Sequence, residues 1–497
     1  MAMRPDISHA AGGSGKAADA AKGIALPVDP TVPIQRGRTL DRQMLRHLSL
    51  EGKACLVVGL GRFGGGVGVT NWLARRGAHV TVTDMADGAS LAASIKGVAE
   101  ARPRLLLGGH DAVRPADYDL VVFNPAVRKP QSKLFSEVVE AGVPWTTEIN
   151  LFCACCRVPI IGVTGTFGKS TTCAMLTHLL VEAGGYDVRF GGNIGVSLLS
   201  CLEDEAWNQD SDGGRRLVVL EISEAQLDDL PDLRWGPPTA VITNVVPHHL
   251  ERYGEPAFYF ARKMKIIHGG TTRRVLAGPM HPAAEAMFQS ACAGLDVPVI
   301  RFHQEEEGPL PDYELPVPGR HNQINADVAM RVASHFGVSD DVGRRTLATF
   351  PGLAHRLEFV RDIDGVTYIN DSKSTAPDAT VAAVQSFARS IVLIVGGQSN
   401  RSTCDPAVVN AVREKCRTVI AMGEHGRLVA SALHASQRDG TTIASTLVSS
   451  IEDACHRARE AAEPGDVVLF SPGGASFDTH HNYQQRGEAF CGIVNAW

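Results

Sequence analysis

The chain has 497 residues, 44% of them hydrophobic and 21% charged, and a formal net charge of −6. That length has room for about three domains of ordinary size, and the composition excludes a disordered or fibrous chain. The acidic balance gives no global attraction to nucleic acid or anionic membrane, and no apolar run is long enough to span a bilayer, so neither is expected as a partner. The N-terminus lacks the apolar core of a secretory signal, and eleven irregularly spaced cysteines point to reduced thiols in a cytoplasmic protein. Cys153, Cys155 and Cys156 have no second ligand pair nearby at zinc spacing and read as small apolar residues of a helix.

Residues 1–46 are rich in Ala, Gly and Pro without a period and read as a disordered leader; order is expected from about Leu48. A strand over 53–58 runs into Gly59-x-Gly61-x-x-Gly64, a helix with Trp72 and Leu73 follows, and a strand over 78–83 ends in Asp84. This is the dinucleotide-binding spacing, in which an acid about twenty residues past the loop accepts a ribose hydroxyl. Strands over 104–107 and 120–123 complete a parallel α/β unit across 47–147, the second ending in Asn124-Pro125. Asp84 and Asn124 fit a plain strand-end cap equally well.

The central region, 148–351, holds the strongest signal. An apolar strand over 158–163 leads into a loop with Gly165, Thr166 and Gly168, and Lys169, Ser170 and Thr171 open a helix. Strand, glycine loop, Lys-Ser and helix form a phosphate cradle: loop N–H groups face the anion, the lysine reaches the outer phosphates and the serine hydroxyl ligates Mg²⁺. Val163 stands where the commonest form of that loop has its first glycine. A glycine turn follows at 191–195. A strand over 217–220 ends in Glu221 and Ser223, and another over 240–242 leads to Asn244, His248 and His249, which are candidate Mg²⁺ ligands. Lys263 sits on a helix after Tyr259, and Asn322 and Asn325 share a helix face at i, i+3. From 352 to 497, strands over 366–369, 391–395, 418–422 and 467–470 alternate with helical segments. Their polar ends, 370–375, 396–401 and 471–478, should line one crevice. The fold class expected is α/β in three domains: a Rossmann-like first domain, a central P-loop domain and a Rossmann-like last domain.

Gly162-Val-Thr-Gly-Thr-x-Gly-Lys-Ser-Thr, Gly-Gly-Asn-Ile-Gly at 191–195, His321-Asn322-x-x-Asn325, His355-Arg356, Asn370-Asp371-Ser372-Lys373 and Ser471-Pro472 together resemble the Mur ligase family. The resemblance covers about residue 48 to the end and implies an ATP-dependent amide ligase of peptidoglycan precursor synthesis. Such an enzyme joins an amino acid to the carboxylate of a UDP-sugar through an acyl phosphate. The final stretch, Ser-Pro-Gly-Gly-Ala-Ser-Phe-Asp with Asn482-Tyr483-Gln-Gln-Arg486, points to glutamate as the amino acid and UDP-MurNAc-L-Ala as the acceptor.

The resemblance places ATP on Gly165, Thr166, Gly168, Lys169, Ser170, Thr171, Asn325, Arg356 and Asp371. It implies two Mg²⁺ ions held by Ser170, Glu221, His249 and a carbamylated Lys263, with Lys169, Lys263, His249 and Glu221 as the catalytic set. The UDP-substrate falls to Gly61, Arg62, Phe63, Gly64, Asp84, Asn124, Pro125, Asn193 and Ser223, which would explain a dinucleotide fingerprint without NAD. Glutamate falls to Lys373, Thr375, Ser476, Phe477 and Tyr483. The family's glutamate-binding lysine aligns with Asn400, and the adjacent Arg401 is expected to turn inward in its place. Other departures are Phe167 for Asn, Glu224-Ala225 for Ser-Phe, and His248 for an acid. The chain reads as a monomer. Rival readings are a folylpolyglutamate synthetase-like ligase, an NAD-dependent oxidoreductase built on Gly59 to Asp84, and a P-loop switch protein.

Overall fold

The computed structural model describes residues 37–62, 64–194, 197–209, 215–248, 253–303, 310–399, 401–435 and 443–497. Three sheets carry the chain. The first has the strand order Arg104–Leu107, His79–Asp84, Ala54–Val58, Leu120–Phe123, Trp145–Thr147, all parallel. The order reverses beside Ala54–Val58, so the glycine loop after that strand opens at the switch point, where ligands of such sheets bind. The second sheet, also parallel, runs Val299–Arg301, Arg274–Ala277, Thr239–Ile242, Ile160–Thr164, Arg216–Glu221, Asp187–Gly192. The third runs Glu358–Ile363, Val366–Asn370, Val467–Gly473, Ile391–Gly396, Cys416–Met422, Ala444–Val448, parallel except for its first, antiparallel edge strand.

Packing joins the first two sheets more closely than the third. One continuous apolar cluster runs from Cys55, Val57 and Trp72 through Ile149, Leu151 and Phe152 to Val218, Ile242 and Phe260. The helix Glu148–Cys155 stitches it together, since six of its eight residues are buried. Its Cys153 is fully enclosed, and burial holds that thiol's pKa well above its ordinary value. The cysteine cluster is thus inert packing, as its sequence suggested. The third sheet is cored separately, by Ile369, Leu393, Val419 and Leu469 on one face and by Tyr368, Ile394, Phe470 and Phe490 on the other.

The leader expected over 1–46 falls mostly on 1–36, outside the described residues. The remainder corrects that expectation. Thr39 pairs with Trp145, and Asp41 accepts from the Met44 N–H at 2.9 Å to cap a helix, Arg42–Arg46. Leu40 and Leu45 are buried, and Arg46 donates to the carbonyls of Ala154 and Cys156. A five-residue helix is too short to show a period in sequence.

Between the second and third sheets the chain bends through three left-handed residues, Gly352 (φ 80°), His355 (φ 64°) and Leu357 (φ 45°). The two non-glycine ones are held by neighbours: the His355 N–H donates to Glu358 at 2.7 Å and the Leu357 N–H to Asp371 at 3.2 Å.

Candidate active site

The phosphate loop has the geometry its residues require. Gly168 is left-handed (φ 81°) and precedes the helix Lys169–His178. A side chain at 168 would also collide with Asn325 Oδ1, so the loop and the later helix Arg320–Ser334 fit only through this glycine. Lys169 Nζ lies back on the loop, donating to the carbonyls of Gly165 and Thr166 at 3.0 Å each. Burial lowers its pKa, and Glu221 and Glu224 oppose that shift. Thr166 is pinned by its N–H to the Asn244 carbonyl (2.9 Å), and Tyr259 OH donates to its hydroxyl (3.2 Å). Phe167 points outward, with its ring 5.3 Å from that of His248, so two departures from the family pattern touch each other.

Behind the loop lies a charged chamber. Glu221 is buried; its Oε1 accepts from Asn193 Nδ2 at 2.9 Å, while its Oε2 is buried with no hydrogen-bond partner. Such an orphaned carboxylate oxygen is costly unless a ligand completes it. Together with the hydroxyl of Ser170, a hard oxygen donor, it suits Mg²⁺. Among the described residues no three His, Cys, Asp or Glu side chains gather as a metal cluster. His249, expected as the next ligand, lies outside the described residues. Lys263 is completely buried and donates to Thr164 Oγ1 at 3.2 Å; Glu224 Oε2 stands 3.7 Å away. Burial, reinforced by the charge of Lys169, pushes the Lys263 pKa down to about 7. Asn193, expected at the UDP-sugar, here orients Glu221. Ser223, expected there too, closes a capping box with Gln226 at the start of the helix Glu224–Leu227.

A cavity of about 520 Å³ separates the loop from the third sheet, lined by Gly168, Thr171 and Asn325 on one side and Arg356, Asp371 and Lys373 on the other. Arg356 crosses it to donate to Ser170 Oγ at 3.1 Å. Asp371 is buried and accepts from Ser374 Oγ (2.5 Å) and Ser471 Oγ (2.8 Å); burial raises its pKa to about 6. Lys373 Nζ sits 3.9 Å over the Tyr483 ring, and burial, then Arg356, lowers its pKa to about 8. The structure thus brings together the residues expected at ATP.

At the first sheet, Asp84 accepts from the Gly61 N–H (3.0 Å) and the Ala86 N–H (2.9 Å). Asn124 spans Gly59 O (3.3 Å) and the Ala126 N–H (3.0 Å), with Pro125 half-buried beside it. Both side chains shape the loop whatever else they contact. Gly64 is left-handed (φ 89°) and caps the next helix; Phe63 lies outside the described residues. Arg62 reaches the third domain, 5.9 Å over the Phe477 ring.

The three crevice segments of the third sheet do converge: Gln398 pairs with Ala475, and the Gly473 N–H donates to Ser374 O at 2.9 Å. Ser476 is buried; Thr375 and Phe477 are exposed. Arg401 departs from expectation. It is half-exposed and paired with Asp405 at 3.1 Å rather than turned inward. Asp405 caps the helix Pro406–Lys415, and that fixed carboxylate four residues on claims the guanidinium. Asn400 lies outside the described residues. The residue that sequence reasoning missed is Arg486. It is fully buried and donates to Ser372 Oγ, Ser372 O and Gly474 O at 3.1, 2.9 and 3.0 Å, tying two crevice segments together. The sequence shows it only as one member of the Gln-Gln-Arg-Gly run, with nothing to mark it as buried.

A family model described as Mur ligase middle domain matches residues 163–308, and one described as Mur ligase, glutamate ligase domain matches 355–474. The chain is 35% identical over 478 residues to the UDP-N-acetylmuramoylalanine--D-glutamate ligase of Roseiflexus sp., covering 90% of this chain and 100% of that protein. It is 32% identical to the protein of the same name from Pelotomaculum thermopropionicum, covering 89% and 97%. Among solved structures it resembles a UDP-N-acetylmuramate-alanine ligase of Thermotoga maritima (TM-score 0.58, 19% identity, 89% and 99% covered). It also resembles a MurF ligase of that organism in complex with ADP (TM-score 0.53, 16% identity, 93% and 99% covered). With sequence relatives matched over about nine-tenths of it and solved structures sharing its fold, the chain belongs to the Mur ligase family.

Proposed function

We propose that the protein is an ATP-dependent ligase that adds D-glutamate to UDP-N-acetylmuramoyl-L-alanine, forming ADP and phosphate, in the cytoplasmic stage of peptidoglycan precursor synthesis. The observation that carries this reading is the cavity bridged by Arg356 and Ser170. It sets a phosphate loop against a second, lysine-bearing wall, with room for a nucleotide between them. A carboxylate is a poor electrophile, so its oxygen first attacks the γ-phosphoryl group, releasing ADP and giving an acyl phosphate. The glutamate amine then attacks the acyl carbon, and the tetrahedral intermediate collapses to the amide with loss of phosphate and a proton. Such chemistry needs alignment and charge neutralisation more than proton transfer.

Each residue has a part in that scheme. The loop N–H groups and Lys169 hold the outer phosphates, swinging Lys169 off the carbonyls of Gly165 and Thr166. Arg356 adds positive charge from the opposite wall, and Asn325 flanks the nucleotide. The loop at Gly61 and Gly64, shaped by Asp84 and Asn124, takes the UDP part, with the acceptor carboxylate directed to the Glu221 and Lys263 chamber. Lys373, Thr375, Ser476 and Tyr483 receive glutamate. Mg²⁺, held by Ser170, Glu221 and His249, would neutralise phosphate oxygens as charge shifts to the leaving group. Among the described residues no helix is long and apolar enough to cross a membrane.

The test is phosphate release with ATP, UDP-MurNAc-L-Ala and a panel of amino acids, read together with product mass. Release should require both substrates and prefer D-glutamate. Release without the UDP-substrate, or equal use of amino acids lacking a second carboxylate, would sink the reading.

A further inference from the structure

Glu148 is a half-buried carboxylate with no part in the scheme above. It opens the helix Glu148–Cys155 directly after the strand Trp145–Thr147, so it stands at the end of the first sheet where ligands bind. Ser197 Oγ donates to its Oε1 at 2.7 Å, and burial raises its pKa to about 7 against the pull of that bond. Ser197 belongs to the second domain, four residues beyond Asn193, whose amide holds Glu221 Oε1. On its other side Ser197 rests on Gly68, where any side chain would overlap it. Gly68 lies about one helical turn beyond Gly64, the last glycine of the loop proposed for the UDP part. The contact continues along both segments: Arg75, at the end of the helix Gly65–Arg75, pairs with Glu203 at 2.6 Å, and Leu199 and Leu202 beside it are buried. A first-domain helix, the stitching helix and a second-domain loop thus meet at one hydrogen bond. The apolar cluster already holds these elements together, but apolar burial is non-directional. The bond adds a fixed spacing and rotation.

We propose that Glu148 is a positioning residue for the acceptor: through Ser197 it fixes the span between the loop at Gly61 and Gly64 and the chamber at Glu221, and so places the acceptor carboxylate for attack on the γ-phosphoryl group. The proposal rests on the ligase reading above. UDP-MurNAc-L-Ala is held at both ends of that span, its UDP part on the first domain and its carboxylate in the second. UDP alone touches only the first. The Glu148–Ser197 bond therefore controls the register between two half-sites rather than either half-site itself, and a misplacement of about 1 Å is enough to spoil an aligned attack.

The test compares UDP and UDP-MurNAc-L-Ala as ligands of the full chain by calorimetry, with steady-state phosphate release alongside. Glu148→Ala and Ser197→Ala should each bind UDP within about twofold of wild type yet bind UDP-MurNAc-L-Ala at least about tenfold more weakly. Their KM for ATP should stay within about twofold, and adding Ser197→Ala to Glu148→Ala should cost nothing further. Glu148→Gln, whose amide oxygen still accepts from Ser197, should bind both ligands within about threefold of wild type. Equal loss of UDP and UDP-MurNAc-L-Ala would show a merely structural role and overturn the proposal. Unchanged binding of UDP-MurNAc-L-Ala in the alanine variants, or a Glu148→Gln as weak as Glu148→Ala, would overturn it too. Ser197→Ala removes a single hydroxyl and keeps the test decisive if Glu148→Ala does not fold. Failure of the ligase reading would register separately, in wild type, as absence of phosphate release that depends on UDP-MurNAc-L-Ala.

Discussion

Lys373 and Arg401 illustrate how one neighbour decides a cation's use. Arg401 is spent on Asp405 at the surface, and an exposed pair of that kind contributes about 0–1 kcal/mol. Lys373 is enclosed against Tyr483 and Arg356. We expect Lys373→Ala to raise the KM for D-glutamate more than tenfold, while Arg401→Ala changes it less than threefold, both read by steady-state phosphate release. The reverse ranking would mean that the crevice closes differently around its amino acid. Lys263 makes a second prediction. Its pKa falls from 10.5 to about 7 on burial, so between those values the unfolded chain binds more protons than the folded one and stability rises with pH. Below about pH 7 the burial penalty is fully present. Without metal or bicarbonate, Lys263→Met should therefore stabilise the protein more at pH 6.5 than at pH 9. The difference should be roughly 2–3 kcal/mol, seen as a larger gain in Tm at the lower pH.

At the scale of the element, the phosphate loop depends on a later helix. Gly168→Ala would force a left-handed alanine, costing about 1–2 kcal/mol, and drive its methyl into Asn325. ATP affinity measured by calorimetry should drop more than a hundredfold while the far-ultraviolet circular dichroism stays native; retained affinity would show that the loop relaxes around the methyl group. Elements that announce themselves locally were legible in the chain. Arg104–Leu107 and Leu120–Phe123 have the ends expected of them, and Ile160–Thr164 and the helix at Lys169 lie within two residues of expectation. The strands not legible lie mostly at sheet edges or are very short. Ala444–Val448 and Glu358–Ile363 are largely exposed and lack an apolar run, Trp145–Thr147 has three residues, and Asp187–Gly192 hides in what looked like a glycine turn. The site divides the same way. Lys169, Ser170 and Glu221 follow from motif and strand end. Asn193 on Glu221, Glu224 beside Lys263, and Arg486 between Ser372 and Gly474 join residues far apart in the chain, and only the fold reveals them.

For the whole molecule, the division of the core governs how the active site is assembled. The first two sheets share one apolar cluster, and the third has its own. The cavity between the phosphate loop and the third sheet draws its walls from both blocks, which are joined in sequence through the segment 352–357 with its three left-handed residues. The phosphate loop and the loop proposed for the UDP part follow strands of two different sheets, so damage to one should leave binding at the other largely intact.

On the proposed function, that arrangement would make the nucleotide a bivalent ligand. Its phosphates would be gripped by one block through Lys169 and engaged from the other by Arg356 and Asp371, and the linker would set the effective concentration of the second grip once the first had formed. His355 and Leu357 are kept in a sparsely populated backbone region, which limits the orientations that tether explores. Inserting a flexible Gly-Ser segment of about ten residues after Gly352 should lower ATP affinity by about 10²-fold without deleting a single nucleotide contact. Binding of the UDP-substrate, seated on the unaltered block, should stay within twofold by calorimetry. Equal loss of both would show that the insertion had damaged folding rather than avidity.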